Sequence, residues 1–142
     1  MTLEELYKAI AEDFTIDQSD LGGEAIRTTK IWQKYVTLLS QEKMKMELYD
    51  AKKRKLINEK RKYYTGNASP EVYKEKPFNE RLKTDSAIQK ALDADDDIIN
   101  LDLKIASARQ KVELLENCLD ECKRRGFGIK SAIDWHKFMS GM

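Results

Sequence analysis

A chain of 142 residues whose 26 Lys and Arg nearly balance 25 Asp and Glu is the size of one domain with a modest core. Charged residues make up 36% and the mean hydropathy of −0.68 is low, yet at 41% hydrophobic it carries too much apolar content for a disordered tail. No apolar run approaches the roughly 20 residues needed to cross a bilayer, and the opening 1–6 lacks the basic flank and apolar core of a signal peptide, so a soluble, intracellular protein without a membrane partner is expected.

Six glycines and two prolines, the prolines pooled at Pro70 and Pro77, in a chain rich in Ala, Glu, Lys, Leu and Arg predict an all-α fold. The first element is a helix over 3–12, where Leu3, Leu6, Tyr7 and Ile10 recur at helical spacing. An extended link over 14–17 follows, and Ser19 or Asp20 caps the next helix ahead of Gly22 and Gly23.

From 24 to 64 there is no glycine or proline. Trp32, Tyr35, Leu39, Met46, Tyr49, Leu56 and Tyr63 fall on alternating steps of three and four, the spacing of a coiled-coil seam. Glu42, Lys53 and Lys60 share that register. A buried lysine is costly unless paired, so the second half of this helix is expected to leave its neighbour and face solvent or a polyanion.

That second half holds the densest positive charge in the chain: Lys52, Lys53, Arg54, Lys55, Lys60, Arg61 and Lys62, closed by Tyr63 and Tyr64. The compensating acids lie elsewhere, chiefly at Asp93, Asp95, Asp96 and Asp97. Cations neutralise phosphates and release counterions, while aromatic rings stack on unpaired bases whatever their identity. The combination fits single-stranded DNA better than duplex, with Lys53, Arg54, Lys60 and Arg61 on phosphates and Tyr63 or Tyr64 on a base. Two other readings stay open, a surface for an acidic protein partner and a plain solvated helix face.

Residues 65–70 read as a stop and turn, and 65–84 as a loop of about twenty residues that is mobile or orders on DNA or a partner. The next helix is predicted over 84–125, capped by Thr84 or Asp85. Its seam runs through Ala87, Ala91, Ala94, Ile98, Leu101, Ile105, Ala108, Val112, Leu115, Leu119 and Cys122. Ile88, Leu92, Ile99, Leu103 and Leu114 lie off it, so this helix touches more than one neighbour, and self-association is the simplest account. Lys123, Arg124 and Arg125 suit the negative end of a helix dipole, with DNA contact as the alternative, and Gly126 suits a left-handed cap. Phe127 and Gly128 then turn the chain into a terminal helix over 129–139. The expected oligomerisation residues are Ile98, Leu101, Ile105, Val112, Leu115, Leu119, Phe127, Ile129, Ile133, Trp135 and Phe138.

Little supports catalysis. There is no G-x-x-x-x-G-K-[ST] loop, and the single histidine, His136, has no nucleophile or acid at a recognisable spacing. Cys118 and Cys122, four apart on a helix, read as buried thiols rather than a disulfide or zinc site. The aspartates near 93–97 read as a solvated acidic face able to pair with the basic block, since no glycine turn curls them round an ion. No cofactor or metal is expected.

Across nearly its whole length the chain resembles the UvsY recombination mediators of T-even-like phages. The likeness lies in Leu3-Glu4-Glu5-Leu6, Ile16-Asp17, Tyr63-Tyr64-Thr65-Gly66, Leu92-Asp93-Ala94-Asp95 and, most specifically, Arg125-Gly126-Phe127-Gly128-Ile129-Lys130. The family's DNA-binding motif, L-K-A-R-L-D-Y-Y, falls on 57–64. There Lys60 keeps the second basic position and both tyrosines match, Asn58 stands for the first basic residue, and Arg61 and Lys62 replace an apolar and an acidic one. The resemblance implies a non-catalytic homo-oligomer, a ring of six or seven subunits in the cytoplasm of the infected bacterial host. It would bind single-stranded DNA, loosen the hold of the single-strand-binding protein, and load a RecA-like recombinase of the UvsX type. The expected architecture is two long helices joined by the twenty-residue loop, with short terminal helices. They form a single domain over 1–142: a part over 1–86 with the basic helix, and a coiled-coil and oligomerisation part over 87–142.

Overall fold

The computed structural model describes residues 1–141. The chain is all-α, as composition and periodicity predict. The helices are α1 (Leu3–Phe14), α2 (Leu21–Tyr64), α3 (Pro70–Glu75), α4 (Asp85–Asp93) and α5 (Asp96–Met139), with no strand among the described residues. The chain packs as two compact units, and each long helix contributes to both. One unit joins Met1–Lys43 to the chain from Arg109 onward, and the other is Met44–Ala108. None of the helices among the described residues is long and apolar enough to cross a membrane.

In the first unit α1 starts on a capping box, in which the Thr2 hydroxyl accepts from the Glu5 N–H and the Glu5 carboxylate accepts from the Thr2 N–H. Helix α2 starts where Asp20 accepts from the Gly23 N–H at 3.1 Å. A Cβ at Gly23 would collide with that carboxylate, so this cap uses a glycine. Leu6, Ile31, Tyr35, Leu115, Cys118 and Cys122 form the core, with Ile10, Phe14, Leu38 and Leu119 packed around them. The cysteines are buried free thiols, and burial pushes Cys118 up to about 11. A thiol held so far above its ordinary value is a poor nucleophile. Trp32, placed on the seam by its spacing, is exposed instead.

Three expectations are corrected by the course of α5. The predicted helix over 84–125 is two helices, α4 and α5, broken at Ala94 and Asp95. The predicted turn at Gly126–Gly128 does not occur, and α5 continues to Met139. Nor do the Arg124 and Arg125 side chains serve as a pair at a helix end. Arg124 is exposed and paired with Glu121. Arg125 is buried: it meets the Glu24 carboxylate, donates to Thr28 Oγ1 at 3.1 Å, and reaches the Phe14 carbonyl at 3.4 Å. One turn on, Ile129 is fully buried. Buried groups on both sides of the glycines fix the helix through them, against a propensity cost of only ~1 kcal/mol per glycine.

This packing also revises the expected oligomer surface. Ile98, Ile105, Val112, Leu115 and Ile129 are buried within the single chain, and Leu101, Leu119 and Ile133 are half-buried. The seam's apolar side chains are taken up by the chain's own helices, so they are not an outer face. Phe127, Trp135 and Phe138 are exposed at 73%, 59% and 71%, and the Trp135 and Phe138 rings stack with centroids 5.7 Å apart.

An alanine Cβ at Gly126 meets no atom within 4 Å. Gly126→Ala is therefore expected to raise stability by about 1 kcal/mol, read as a higher urea midpoint. A chain that turned at Gly126 would lose stability instead.

Candidate nucleic-acid interface

The basic block lies in the second unit, on the last part of α2. With 3.6 residues per turn, residues seven apart on a helix fall nearly in line, and the cations of this block come in such pairs: Lys53 with Lys60, Arg54 with Arg61, and Lys55 with Lys62. The first pair points inward. Lys53 Nζ lies 2.6 Å from Asp102 Oδ1, and Lys60 Nζ lies 2.6 Å from Asp97 Oδ2 and 3.3 Å from Asp95 Oδ2. The other two pairs, with Lys52, are exposed.

The second half of α2 thus does not leave its neighbour, contrary to the expectation drawn from lysines in the seam. Leu56, Ile57, Tyr64 and Leu82 pack against the buried Ile88, Leu92 and Ile98. Acids from α5 and the junction before it answer the two seam lysines. A paired lysine can occupy a seam that an unpaired one would break open.

Asp95 is the acid that organises this end. It is 5% exposed, unlike the solvated face expected of the cluster, whereas Asp93, Asp96 and Asp97 are exposed. Its Oδ1 accepts from the Asp97 and Ile98 N–H groups at 3.0 and 3.2 Å, capping α5. Its Oδ2 accepts from the Tyr64 hydroxyl at 2.6 Å. Burial alone would raise its pKa, but hydrogen bonds from Tyr64, the Ile98 backbone and Lys60 outweigh this and hold it below 3.8. Burial likewise opposes the charge on Lys60, and its bonds to Asp97 and Asp95 win, raising it above 10.5.

The two tyrosines are enclosed rather than displayed. Tyr63 is buried, stacked on Tyr73 with centroids 5.4 Å apart and tilted against Phe78 at 5.3 Å, and its hydroxyl donates to the Lys76 carbonyl at 3.0 Å. Tyr64 is half-buried and meets Phe78 edge-on. Rings packed this way fix the end of α2 to the segment after it and leave little of either face for a base to stack on. Gly66, at φ +80°, closes α2 as its left-handed cap, with Asn67 N–H donating to the Lys62 carbonyl and Gly66 N–H to that of Tyr63. The segment expected as an unstructured loop contains α3, whose Tyr73 hydroxyl donates to the Tyr63 carbonyl at 2.8 Å. The signal for this order was in the sequence, as two aromatic residues, Tyr73 and Phe78, within an otherwise polar stretch.

The arrangement leaves Lys52, Arg54, Lys55, Arg61 and Lys62 exposed on α2, with Glu59 among them, above a packed and ion-paired underside. Residues 9–142 match the family model described as recombination, repair and ssDNA binding protein UvsY. The chain belongs to the UvsY family. It is 26% identical over 141 residues to the recombination protein uvsY of Enterobacteria phage T4, covering 99% of both chains. The fold is that of solved structures of the bacteriophage T4 recombination mediator protein UvsY. One crystal lattice gives a TM-score of 0.82 at 24% identity over 98% of this chain and 99% of that one. Another gives 0.82 at 25% identity over 99% and 98%. This member is thus a recombination, repair and ssDNA-binding family protein with its basic block on a long helix.

Replacing Asp95 by alanine removes a cap and a buried counter-charge and is expected to cost about 3 kcal/mol in urea unfolding at pH 7. The folded pKa of Asp95 is depressed, so its contribution is present above the unfolded value and is lost as pH falls through the folded one. In Asp95→Asn the stability deficit against wild type should therefore shrink below about pH 4. A deficit constant from pH 7 to pH 3 would contradict this role.

Proposed function

We propose that this chain is a recombination mediator that holds single-stranded DNA along the outward cations of α2, with Arg54, Arg61, Lys55, Lys62 and Lys52 on phosphates. The observation that carries this reading is the division of charge on one helix. Lys53 and Lys60 are answered by aspartates, while their neighbours in sequence stand exposed in rows. Phosphate contacts of this kind are independent of base sequence and release counterions. Lys53 and Lys60 act beneath the strand, fixing the helix that presents the others.

The protein works as a homo-oligomer, a hexamer or heptamer ring, in the cytoplasm of the infected host. The exposed Phe127, Trp135 and Phe138 are the apolar groups that association would cover. Copies of the basic face gathered in one assembly bind a strand through high effective concentration, so contacts that are weak singly add. A strand drawn over several copies is bent or extended, which loosens the single-strand-binding protein and favours the filament of a RecA-like recombinase of the UvsX type.

Salt-dependent binding to oligo-dT tests this reading. The double substitutions Arg54→Ala/Arg61→Ala and Lys55→Ala/Lys62→Ala should each weaken binding. Each should also lower the log–log salt slope by about 0.7 for every phosphate that is no longer neutralised. Lys53→Ala should reduce thermal stability and leave the slope unchanged. Slopes unaffected by the outward substitutions would move the strand off this face.

A further inference from the structure

The second unit also contains a groove of about 420 Å³ between the end of α2 and α3. Leu56, Val72 and the buried Tyr63 are apolar members of its lining, and Glu59, Lys62 and Lys76 are charged members. Val72 is 42% exposed although it belongs to a helix, and α3 buries none of its residues. An apolar side chain is therefore left open to this space, not covered by the fold. Lys62 comes from α2 and Lys76 from the residue that ends α3, so each wall supplies one cation. The remaining charged pair in the lining, Lys60 and Asp97, is satisfied internally at 2.6 Å.

We infer that this groove takes one unstacked nucleobase of the bound single strand, with the phosphates flanking that nucleotide on Lys62 and Lys76. The inference rests on the reading that α2 holds single-stranded DNA. A nucleotide within a strand has an apolar face, a polar edge and an anion on each side. The groove has apolar lining at Leu56 and Val72, a carboxylate at Glu59, and a cation from each of the two elements that form it. Its volume is in the range of small-molecule sites, ~300–1,000 Å³. Taking a base out of the stack costs least in a strand that is already single. Contact of the base with an apolar wall needs no particular sequence. In the groove, base contact comes chiefly from Leu56 and the exposed Val72, beside the little of the enclosed Tyr63 that reaches its surface, and does not require stacking on either tyrosine ring. It lies beside Lys62, one of the outward cations, so backbone and base are engaged by one helix end. A base held here interrupts stacking at a fixed place on each subunit, which is one physical route to a bent strand.

The test compares the full-length protein's affinity for oligo-dT with its affinity for an oligonucleotide of equal length built from abasic residues, which keeps the phosphates and lacks the bases. Wild type should bind oligo-dT at least about fivefold more tightly. Val72→Trp, which fills the groove from an exposed position, should reduce that ratio toward one. Independently of any variant, 2-aminopurine within a bound oligonucleotide should be shielded from acrylamide quenching on wild type. Equal affinity for the two oligonucleotides would overturn the groove while leaving backbone binding intact, as would unshielded 2-aminopurine. A preference that survives Val72→Trp would place base contact elsewhere and overturn it too. Failure to bind either oligonucleotide would remove the underlying reading as well.

Discussion

The unit that carries the basic helix depends on one buried carboxylate. Asp95 accepts from two backbone N–H groups at the start of α5, from the Tyr64 hydroxyl, and lies within ion-pair distance of Lys60. It sets where α5 begins and ties the last turn of α2 to that point. It also supplies part of the counter-charge that lets a lysine occupy a packed seam. Desolvating a carboxylate is expensive, and only this number of donors makes it favourable to keep the charge inside. The same donors are why its acidity is strengthened despite burial.

Once Lys53 and Lys60 are engaged from below, their sequence neighbours acquire a direction. Arg54 and Arg61 line one side of α2, and Lys55 and Lys62 another, while the helix has no freedom to rotate because its underside is fixed. A whole-chain charge of +1 conceals this, since the neutralising aspartates are bound to the inward cations and not scattered among the outward ones. Local excess charge, not net charge, is what a polyanion meets within a Debye length of about 8–10 Å. The tyrosines play the complementary part. Packed with Tyr73 and Phe78, they make the end of α2 rigid and bring α3 beside it.

The first unit is organised by an ion pair of a different kind. Arg125 meets Glu24 and also reaches carbonyls and a hydroxyl from the chain before and within α2. Arg27 joins the same group of contacts, donating to the carbonyls of Asp13 and Thr15 at 2.8 and 3.1 Å. Together they fix the link between α1 and α2 against α5, and they carry α5 past two glycines. The last turns of that helix then present Trp135 and Phe138 stacked on one another and open to solvent.

The all-α class, the extent of α1 and α2, the stop at Gly66 and the buried cysteine pair were legible in the sequence. Each depends on local spacing, on a capping residue or on the left-handed freedom of a glycine. The location of the basic block was equally legible, as was the opposite charge of the aspartates. The division of that block into inward and outward cations was not, because the partners of Lys53 and Lys60 lie some forty residues along the chain and on another helix. Nor were the uninterrupted α5 and the order around Tyr63. Local signals at Gly126 and in 65–84 favoured breaks there, and buried contacts distant in sequence outweighed them. Spacing along a chain determines which helices form and which stripe of each is apolar. Which charges are neutralised, and therefore which remain exposed, is a pairwise property of groups in space, and only the packed structure decides it.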